Sequence, residues 1–333
     1  MDSAARARPP VFVSILNWNG AALTIRCLRS VLGSENPDFD IRVWLIENGS
    51  SDEDVAMLLE GIATMPVEIV RLARNVGFAA GHNLVIEKAL ACGAEWIWLL
   101  NNDSVVHPGT LARLVTLMRN EPRCAAVSPV IYSLQDRSIM DFCGAWHDWQ
   151  RLVTLRPNRI DEARQLQQST PRELWVHGTA PLLRVSALRD VGLFDESYFA
   201  YFEDDDLGVR LARAGWMSRV CYEAEILHAR RVQQHTERPA YFFYLMARNS
   251  FAFWVRYAPR SGRLPLRVRL LCRQLIEASQ LRRRGCDDKT AACLLGTAHG
   301  LSGRLGPPQM QGSPPLWLSL MSRVPHRLLK WFT

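Results

Sequence analysis

Four short apolar runs fall in the first hundred residues, Val11–Leu16, Ile41–Ile46, Val67–Leu72 and Trp96–Leu100, each closed by a polar or glycine-bearing break. Between them lie Ala21–Leu32, Asp52–Leu59 and Ala79–Ala91, whose apolar positions recur with helical spacing. Strand, break and helix in repetition predict an α/β fold: a Rossmann-like, mostly parallel sheet flanked by helices on both faces. Right-handed crossovers then bring the breaks to one edge of the sheet, at the carboxyl ends of the strands, where such sheets bind ligands. The breaks are therefore the first place to look for chemistry.

The first two breaks read Asn17-Trp18-Asn19-Gly20 and Glu47-Asn48-Gly49-Ser50-Ser51-Asp52. A carboxylate ending a strand before a polar turn can accept hydrogen bonds from a base or ribose, and the same residues also serve as turns and caps. The third, Arg74-Asn75-Val76-Gly77-Phe78-Ala79-Ala80-Gly81-His82-Asn83, has glycines and small residues that let a helix start approach an anionic or nucleotide group. It is neither the dinucleotide fingerprint nor a phosphate-binding P-loop, which argues against NAD enzymes and kinases. The fourth, Asn101-Asn102-Asp103-Ser104, places a carboxylate among oxygen-bearing side chains and suits a hard cation bridging phosphates; a turn into a helix near Pro108 would use the same residues.

A fifth cluster lies much further along, in Gly192-Leu193-Phe194-Asp195-Glu196 and Tyr198 to Leu207. It carries Glu203, Asp204, Asp205 and Asp206 in succession at the start of a helix expected to run to about Ala214 and end at Gly215. The helix dipole favours some of that charge, but four adjacent acids repel, which calls for a cation, a substrate hydroxyl or a basic partner. One of them could take a proton from an acceptor hydroxyl as general base.

The order of these motifs resembles the inverting glycosyltransferase family 2, and within it the rhamnosyltransferase branch. The resemblance runs from Val11 to about Tyr257 and includes His228 and Arg248-Asn249 at matching distances. It implies a GT-A fold over 1–260, with a nucleotide-binding half at about 11–120 and an acceptor half at about 121–260. It sets Asn17, Asn19, Glu47, Asn48, Asn75, Gly77, Gly81, Asn83, Asn101 and Asn102 on the donor side. Glu203, Asp205, Trp175 and His177 fall on the acceptor side, and Asp204 is the matching catalytic base. Asp103 and His228 would hold a divalent cation, Mg2+ or Mn2+. The donor implied is a nucleotide-diphosphate sugar, with dTDP-rhamnose favoured, and the acceptor a glycan or lipid-linked glycan. Two positions depart from the pattern: the first carboxylate of the metal motif is Asn101, a weaker neutral ligand, and the second-loop acid is Glu47, one methylene longer than Asp. A nucleotidyltransferase is the alternative enzyme, but no glycine- and lysine-rich phosphate loop stands near the N-terminus. A non-catalytic nucleotide-sugar sensor would not need Asp204.

Charge is distributed unevenly. From Pro239 onward there are 15 Lys and Arg against 3 Asp and Glu, a local excess of +12 in a chain of net +7, which leaves −5 on the first 238 residues. The region 261–333 thus reads as a basic helical C-terminal extension, with Leu264–Arg284 and Asp287–Leu305 as helices after another at Tyr241–Tyr257. Trp317, Leu318, Leu320, Met321, Leu328, Leu329, Trp331 and Phe332 beside Arg323, Arg327 and Lys330 could lie at an anionic membrane surface, or pack on the domain or a second subunit. The arginines are not interleaved with a nucleic-acid recognition module, so no nucleic acid is expected. Eight cysteines without a CxxC pair, no apolar run long enough to span a bilayer and no signal-like start predict reduced thiols in the cytoplasm, peripheral on the membrane's inner face if bound to it.

Overall fold

The computed structural model describes residues 10–34, 39–229, 235–258 and 262–324. Its first half alternates as the apolar runs predict: β1 (Pro10–Asn17), α1 (Ala21–Leu32), β2 (Asp40–Asn48), α2 (Asp52–Ile62), β3 (Val67–Leu72), α3 (Phe78–Ala91) and β4 (Trp96–Asn101). Then follow β5 (Ser104–Val106), α4 (Thr110–Asn120), β6 (Cys124–Ser133), β7 (Met140–Phe142), β8 (Ala145–Asp148), β9 (Val153–Leu155) and α5 (Ile160–Ser169). The chain continues through β10 (Leu174–Trp175), β11 (Leu182–Arg184), α6 (Val185–Val191), α7 (Glu203–Arg213) and β12 (Met217–His228). The last helices are α8 (Ala240–Tyr257), α9 (Arg263–Arg283), α10 (Asp287–Ser302) and α11 (Leu316–Met321).

The main sheet runs β3-β2-β1-β4-β11-β6-β12-β5, with β7 added on β6. Strands β3, β2, β1 and β4 are mutually parallel. Beyond β4 the sheet is mixed: β11 is antiparallel to both neighbours, β6 and β12 are parallel, and β5 is antiparallel to β12. The stretch Cys124–Trp175, whose sequence reads as irregular strands and loops punctuated by Pro157 and Pro171, contains β6, a ten-residue and almost wholly buried strand. Its small residues and Pro129 hide it from a pattern search. The β6–β12 ladder jumps from Cys221↔Pro129 to Glu225↔Val130, so β12 bulges where Pro129 has no N–H to give. A second sheet, β10-β8-β9, has three strands.

Two compact units result. The first comprises 1–148, 153–194 and 207–231; the second comprises 149–152, 195–206 and 232–333. The sheet core of the first unit is built from Val11, Phe12, Val13, Leu45, Ile46, Trp96, Trp98, Leu99 and Leu114, all nearly inaccessible. In the second, Phe242, Phe243, Ala247, Leu275, Ala278 and Leu294 interlock between α8, α9 and α10. There α10 lies directly on the α8 backbone, because a Cβ at Gly296 would meet the Tyr244 carbonyl oxygen at 2.2 Å. The segment 195–206, with its four-acid run, belongs to this helical unit although it precedes β12 in sequence.

Candidate active site

At the carboxyl edge of the parallel strands the asparagines tie the loops together. Asn17, fully buried at the end of β1, donates to Ser50 Oγ at 3.2 Å and Asp54 Oδ2 at 2.9 Å, and accepts from Thr24 Oγ1 at 2.7 Å. Asn19 stands exposed with φ +52, its amide on Ser50 Oγ and its side-chain oxygen accepting the Ser51 N–H. Buried Glu47 accepts the Ser50 N–H at 2.7 Å, and Asn48 holds the next loop through Asn75 Oδ1 and the Val76 N–H. Asn75 Oδ1 also accepts the Gly77 N–H, at the left-handed residue (φ +93) that opens α3. These bonds leave a rigid edge of short polar loops, the form a nucleotide site takes in such sheets.

Three of the donor-side positions have structural duties. A Cβ on Gly81 would stand 2.4 Å from Leu16 Cδ1, so this glycine lets α3 pack closely on β1. Asn83 exchanges two bonds with the Phe194 backbone, at 2.9 and 3.1 Å, and so fixes the far end of the first unit's chain to α3. Asn102 turns its amide back onto Thr24 Oγ1 at 2.9 Å. Asn101 ends β4 half-buried, its N–H on the Thr179 carbonyl.

Asp103 emerges from this edge and meets His228 at the end of β12, with 3.0 Å between Oδ1 and Nε2. The other ring nitrogen of His228 lies 2.9 Å from Asp141 Oδ2, a partner that no sequence pattern marks. Burial alone would lower the histidine's pKa; the hydrogen bonds and charges of Asp103 and Asp141 outweigh it and raise the ring to about 9. His228 is thus an imidazolium between two carboxylates. A hard divalent cation suits the same pair, with carboxylate oxygen and imidazole nitrogen as donors and the Nε2 proton given up. Among the described residues no group of three or more His, Cys, Asp and Glu side chains is arranged to hold a metal, so Asp103 and His228 would be the protein's share of such a site.

The second unit resolves the four acids. Asp206, wholly buried, lies 2.8 Å from Arg256 Nη1 and accepts the Tyr257 hydroxyl at 2.6 Å; the same guanidinium reaches Asp195 at 2.7 Å. Arg256 is the basic partner that the run of charges calls for. Glu203 is 5% exposed, its Oε2 has no hydrogen-bond partner, and burial, followed by the charges of Asp204 and Asp205, pushes its pKa well up. Asp205 is buried, which leaves Asp204 as the one acid of the four that solvent reaches in part.

The turn leading into this run is held from α8. Asn249 Nδ2 donates to the carbonyls of Tyr198, Ala200 and Tyr201 at 2.8–3.1 Å, and Arg248 donates to Tyr198 and to Gly306. Phe199, Tyr201 and Phe202 all carry positive φ, from 68° to 73°, a conformation that costs non-glycine residues energy and needs such bracing. Of the acceptor-side residues in the first unit, Trp175 is a core residue, 1% exposed, stacked on His147 and against Gly208. Half-buried His177 bonds Thr179 Oγ1 at 2.6 Å.

The family model described as "Glycosyltransferase like family 2" matches residues 9–252. The N-acetylglucosaminyl-diphospho-decaprenol L-rhamnosyltransferase of Mycobacterium tuberculosis is 29% identical over 282 residues, covering 76% of this chain and 89% of that protein. The galactofuranosyltransferase GlfT1 of Mycolicibacterium smegmatis is 28% identical over 185 residues, 55% of this chain and 60% of its own. Among solved structures, mannosyltransferase PcManGT from Pyrobaculum calidifontis, in complex with GDP-Man and Mn2+, superposes with TM-score 0.56 at 18% identity, over 98% of this chain and 84% of that one. GalNAc-T7 with UDP, GalNAc and Mn2+ gives TM-score 0.55 at 16% identity, over 79% and 54%. The fold is GT-A.

Proposed function

The chain belongs to the glycosyltransferases like family 2, and from that premise we propose that it transfers a sugar, with inversion, from a nucleoside-diphosphate sugar to a hydroxyl of a lipid-diphosphate-linked glycan. A rhamnosyl donor is favoured by the rhamnosyltransferase likeness. The observation that carries the reading is the separation of environments among the acids: Asp206 paired with Arg256, Glu203 buried with its pKa raised, Asp204 partly exposed.

In this reading the loops of Asn17, Glu47, Asn48 and Asn75 hold the nucleotide, the position that the carboxyl ends of parallel strands favour. Asp103 and His228 hold a divalent cation, which when bound offsets the negative charge on the departing diphosphate. Asp204 accepts the proton of the attacking acceptor hydroxyl as the new bond forms. The Asn249 and Arg248 braces hold the turn that leads into Asp204.

The acceptor's lipid is matched by a surface of the second unit. Leu316, Trp317, Leu320 and Met321 on α11 are 74, 47, 54 and 37% exposed, while Leu318 is buried and anchors the helix. Arg283, Arg284 and Arg323 are exposed nearby, since Arg282 at the end of α9 bonds Ser322 Oγ at 2.8 Å. Apolar and aromatic side chains beside arginines suit the interface of an anionic bilayer. Among the described residues no helix is long and apolar enough to cross a membrane. Leu328, Leu329, Trp331, Phe332, Arg327 and Lys330, named with this tail, lie outside the described residues.

The test is a donor panel of nucleoside-diphosphate sugars with a short-chain N-acetylglucosaminyl-diphospho-lipid, read as nucleoside diphosphate release with and without chelator. Release with one preferred donor, lost on chelation, and a product of inverted anomeric configuration by NMR are expected. Pyrophosphate as product would replace this reading with nucleotidyl transfer.

A further inference from the structure

The turn that leads into the acids is braced from a point about a hundred residues further along the chain. Residues 303–315 join α10 to α11 and meet the turn at Gly306. The Gly306 N–H donates to the Ser197 carbonyl at 2.7 Å, and the Gly306 carbonyl accepts from Arg248 Nη1 at 2.5 Å. Arg248 is fully buried, and its Nη2 donates to the Tyr198 carbonyl at 2.9 Å. One peptide group thus closes a ring of bonds, from Ser197 through Gly306 and Arg248 back to Tyr198. All of these residues belong to the second unit.

The segment is itself anchored on both sides of Gly306. Before it, the Arg304 N–H donates to the His299 carbonyl of α10 at 2.9 Å. After it, the Gln309 N–H reaches the Tyr244 hydroxyl at 3.3 Å, and that hydroxyl lies 2.7 Å from His299 Nδ1. Gly306 has φ +93, which a side chain disfavours, and Pro307 and Pro308 follow with φ fixed by their rings. The brace is therefore stiff as well as anchored. Beside it, Phe199, Ala200 and Tyr201 pack on Tyr244, Leu245, Ala292 and Leu295, which come from α8 and α10. The family match ends at residue 252, so α10 and Gly306 lie beyond it while the four acids lie within it.

We propose that Gly306 is a positioning residue for Asp204: its peptide group locks the turn 197–202, which makes the C-terminal extension a working part of the catalytic site. The inference rests on the reading of Asp204 as general base and adds what sets that base in place. Phe199, Tyr201 and Phe202 hold positive φ, so the turn carries backbone strain that it releases once its carbonyls are let go. Phe202 is followed directly by Glu203 and Asp204, so a change of backbone there displaces the carboxylate. Losing the Gly306 carbonyl also takes an acceptor from a buried guanidinium N–H, which loosens the second hold on the turn. Misplacing a reacting group by about 1 Å costs on the order of 10²-fold in rate.

The experiment compares two glycines of like backbone in the full chain. Gly306 and Gly312 have φ +93 and +98, and a Cβ would meet nothing within 4 Å at either. Alanine strains both alike, but only the Gly306 peptide is bonded to the turn. The variants are Gly306→Ala, Gly306→Pro, which lacks the N–H, and Gly312→Ala as control. Amide hydrogen exchange followed by mass spectrometry should quicken severalfold over 197–206 in both Gly306 variants. It should keep the wild-type rate there in Gly312→Ala, and over β1 and β4 in all three. With the donor that the panel selects, kcat should fall by about 10- to 10²-fold in Gly306→Pro, with donor affinity by titration unchanged. Circular dichroism melts establish that the variants fold, and Gly306→Ala keeps the test open should Gly306→Pro not. Wild-type exchange over 197–206 in both Gly306 variants, equal quickening in Gly312→Ala, or donor affinity falling in step with kcat would each overturn the proposal. Exchange is measured without substrate, and nucleoside diphosphate release by the wild type reports separately on the glycosyltransferase reading.

Discussion

Replacing Asp204 by Asn removes a proton acceptor without altering the length or packing of the side chain at the start of α7, where Asp204 Oδ1 accepts the Asp205 N–H at 3.0 Å. An amide oxygen can accept that bond equally well. Asp204→Asn is therefore expected to melt at the wild-type temperature and bind donor normally, while turnover falls by about 10²- to 10⁴-fold, the contribution of general base catalysis. Turnover near wild type would remove Asp204 from the role. Glu203 behaves in the opposite way. Its pKa in the folded state is raised by burial, so its contribution to stability is complete at a pH below the unfolded-chain value and diminishes as pH rises toward the folded one. Urea unfolding at pH 5 and pH 8 should show the wild type losing stability over this interval relative to Glu203→Gln, which mimics the protonated acid throughout. Parallel curves would mean that the carboxyl is ionised at both pH values. That the four acids open a helix was readable from the residues, but the pairing of Asp206 was not, because Arg256 is 50 positions away on another helix.

At the scale of elements, α8 acts as a scaffold for the turn that carries the acids. Asn249 is fully buried and its amide satisfies three backbone carbonyls of a turn with three positive-φ residues. Asn249→Ala strands those acceptors, with an expected loss of roughly 1–3 kcal/mol for a buried group left unsatisfied. Turnover should fall more than donor affinity, and the two are separable by kinetics and titration. Gly296 tests the α8–α10 crossing, since its missing Cβ is occupied by the Tyr244 backbone oxygen and not by a side chain that could move aside. Gly296→Ala is expected to cost about 1–3 kcal/mol, as overpacking does, measured by chemical denaturation; an unchanged midpoint would show that the helices separate freely. The parallel strands were legible because each is a continuous apolar run beside a periodic helix. Strand β6 was not, because CAAVSPVIYS mixes small, polar and proline residues whose burial depends on neighbours from other parts of the chain.

At the scale of the whole molecule, the excess of positive charge resides in the helical unit, together with the exposed apolar side chains of α11. If this surface meets an anionic bilayer, Trp317→Glu with Leu320→Glu should sharply reduce sedimentation with phosphatidylglycerol vesicles, leave binding to phosphatidylcholine vesicles low, and preserve the melting temperature, because neither side chain belongs to the core. Raised salt should weaken the wild-type interaction in the same direction. Vesicle binding that survives both changes would place the contact elsewhere. All eight cysteines are free, as their spacing implied.

Local periodicity and the order of the loops determined the α/β class, the parallel half of the sheet and the identity of the residues at its edge, since each of these depends on neighbours close in sequence. Folding decided the rest: which asparagines brace loops, that His228 lies between Asp103 and Asp141, that Arg256 takes one acid and burial raises the pKa of another, and that the chain 195–206 joins the helical unit. Those outcomes depend on desolvation and on partners brought together from 50 to more than 120 positions away, quantities that no stretch of sequence carries by itself.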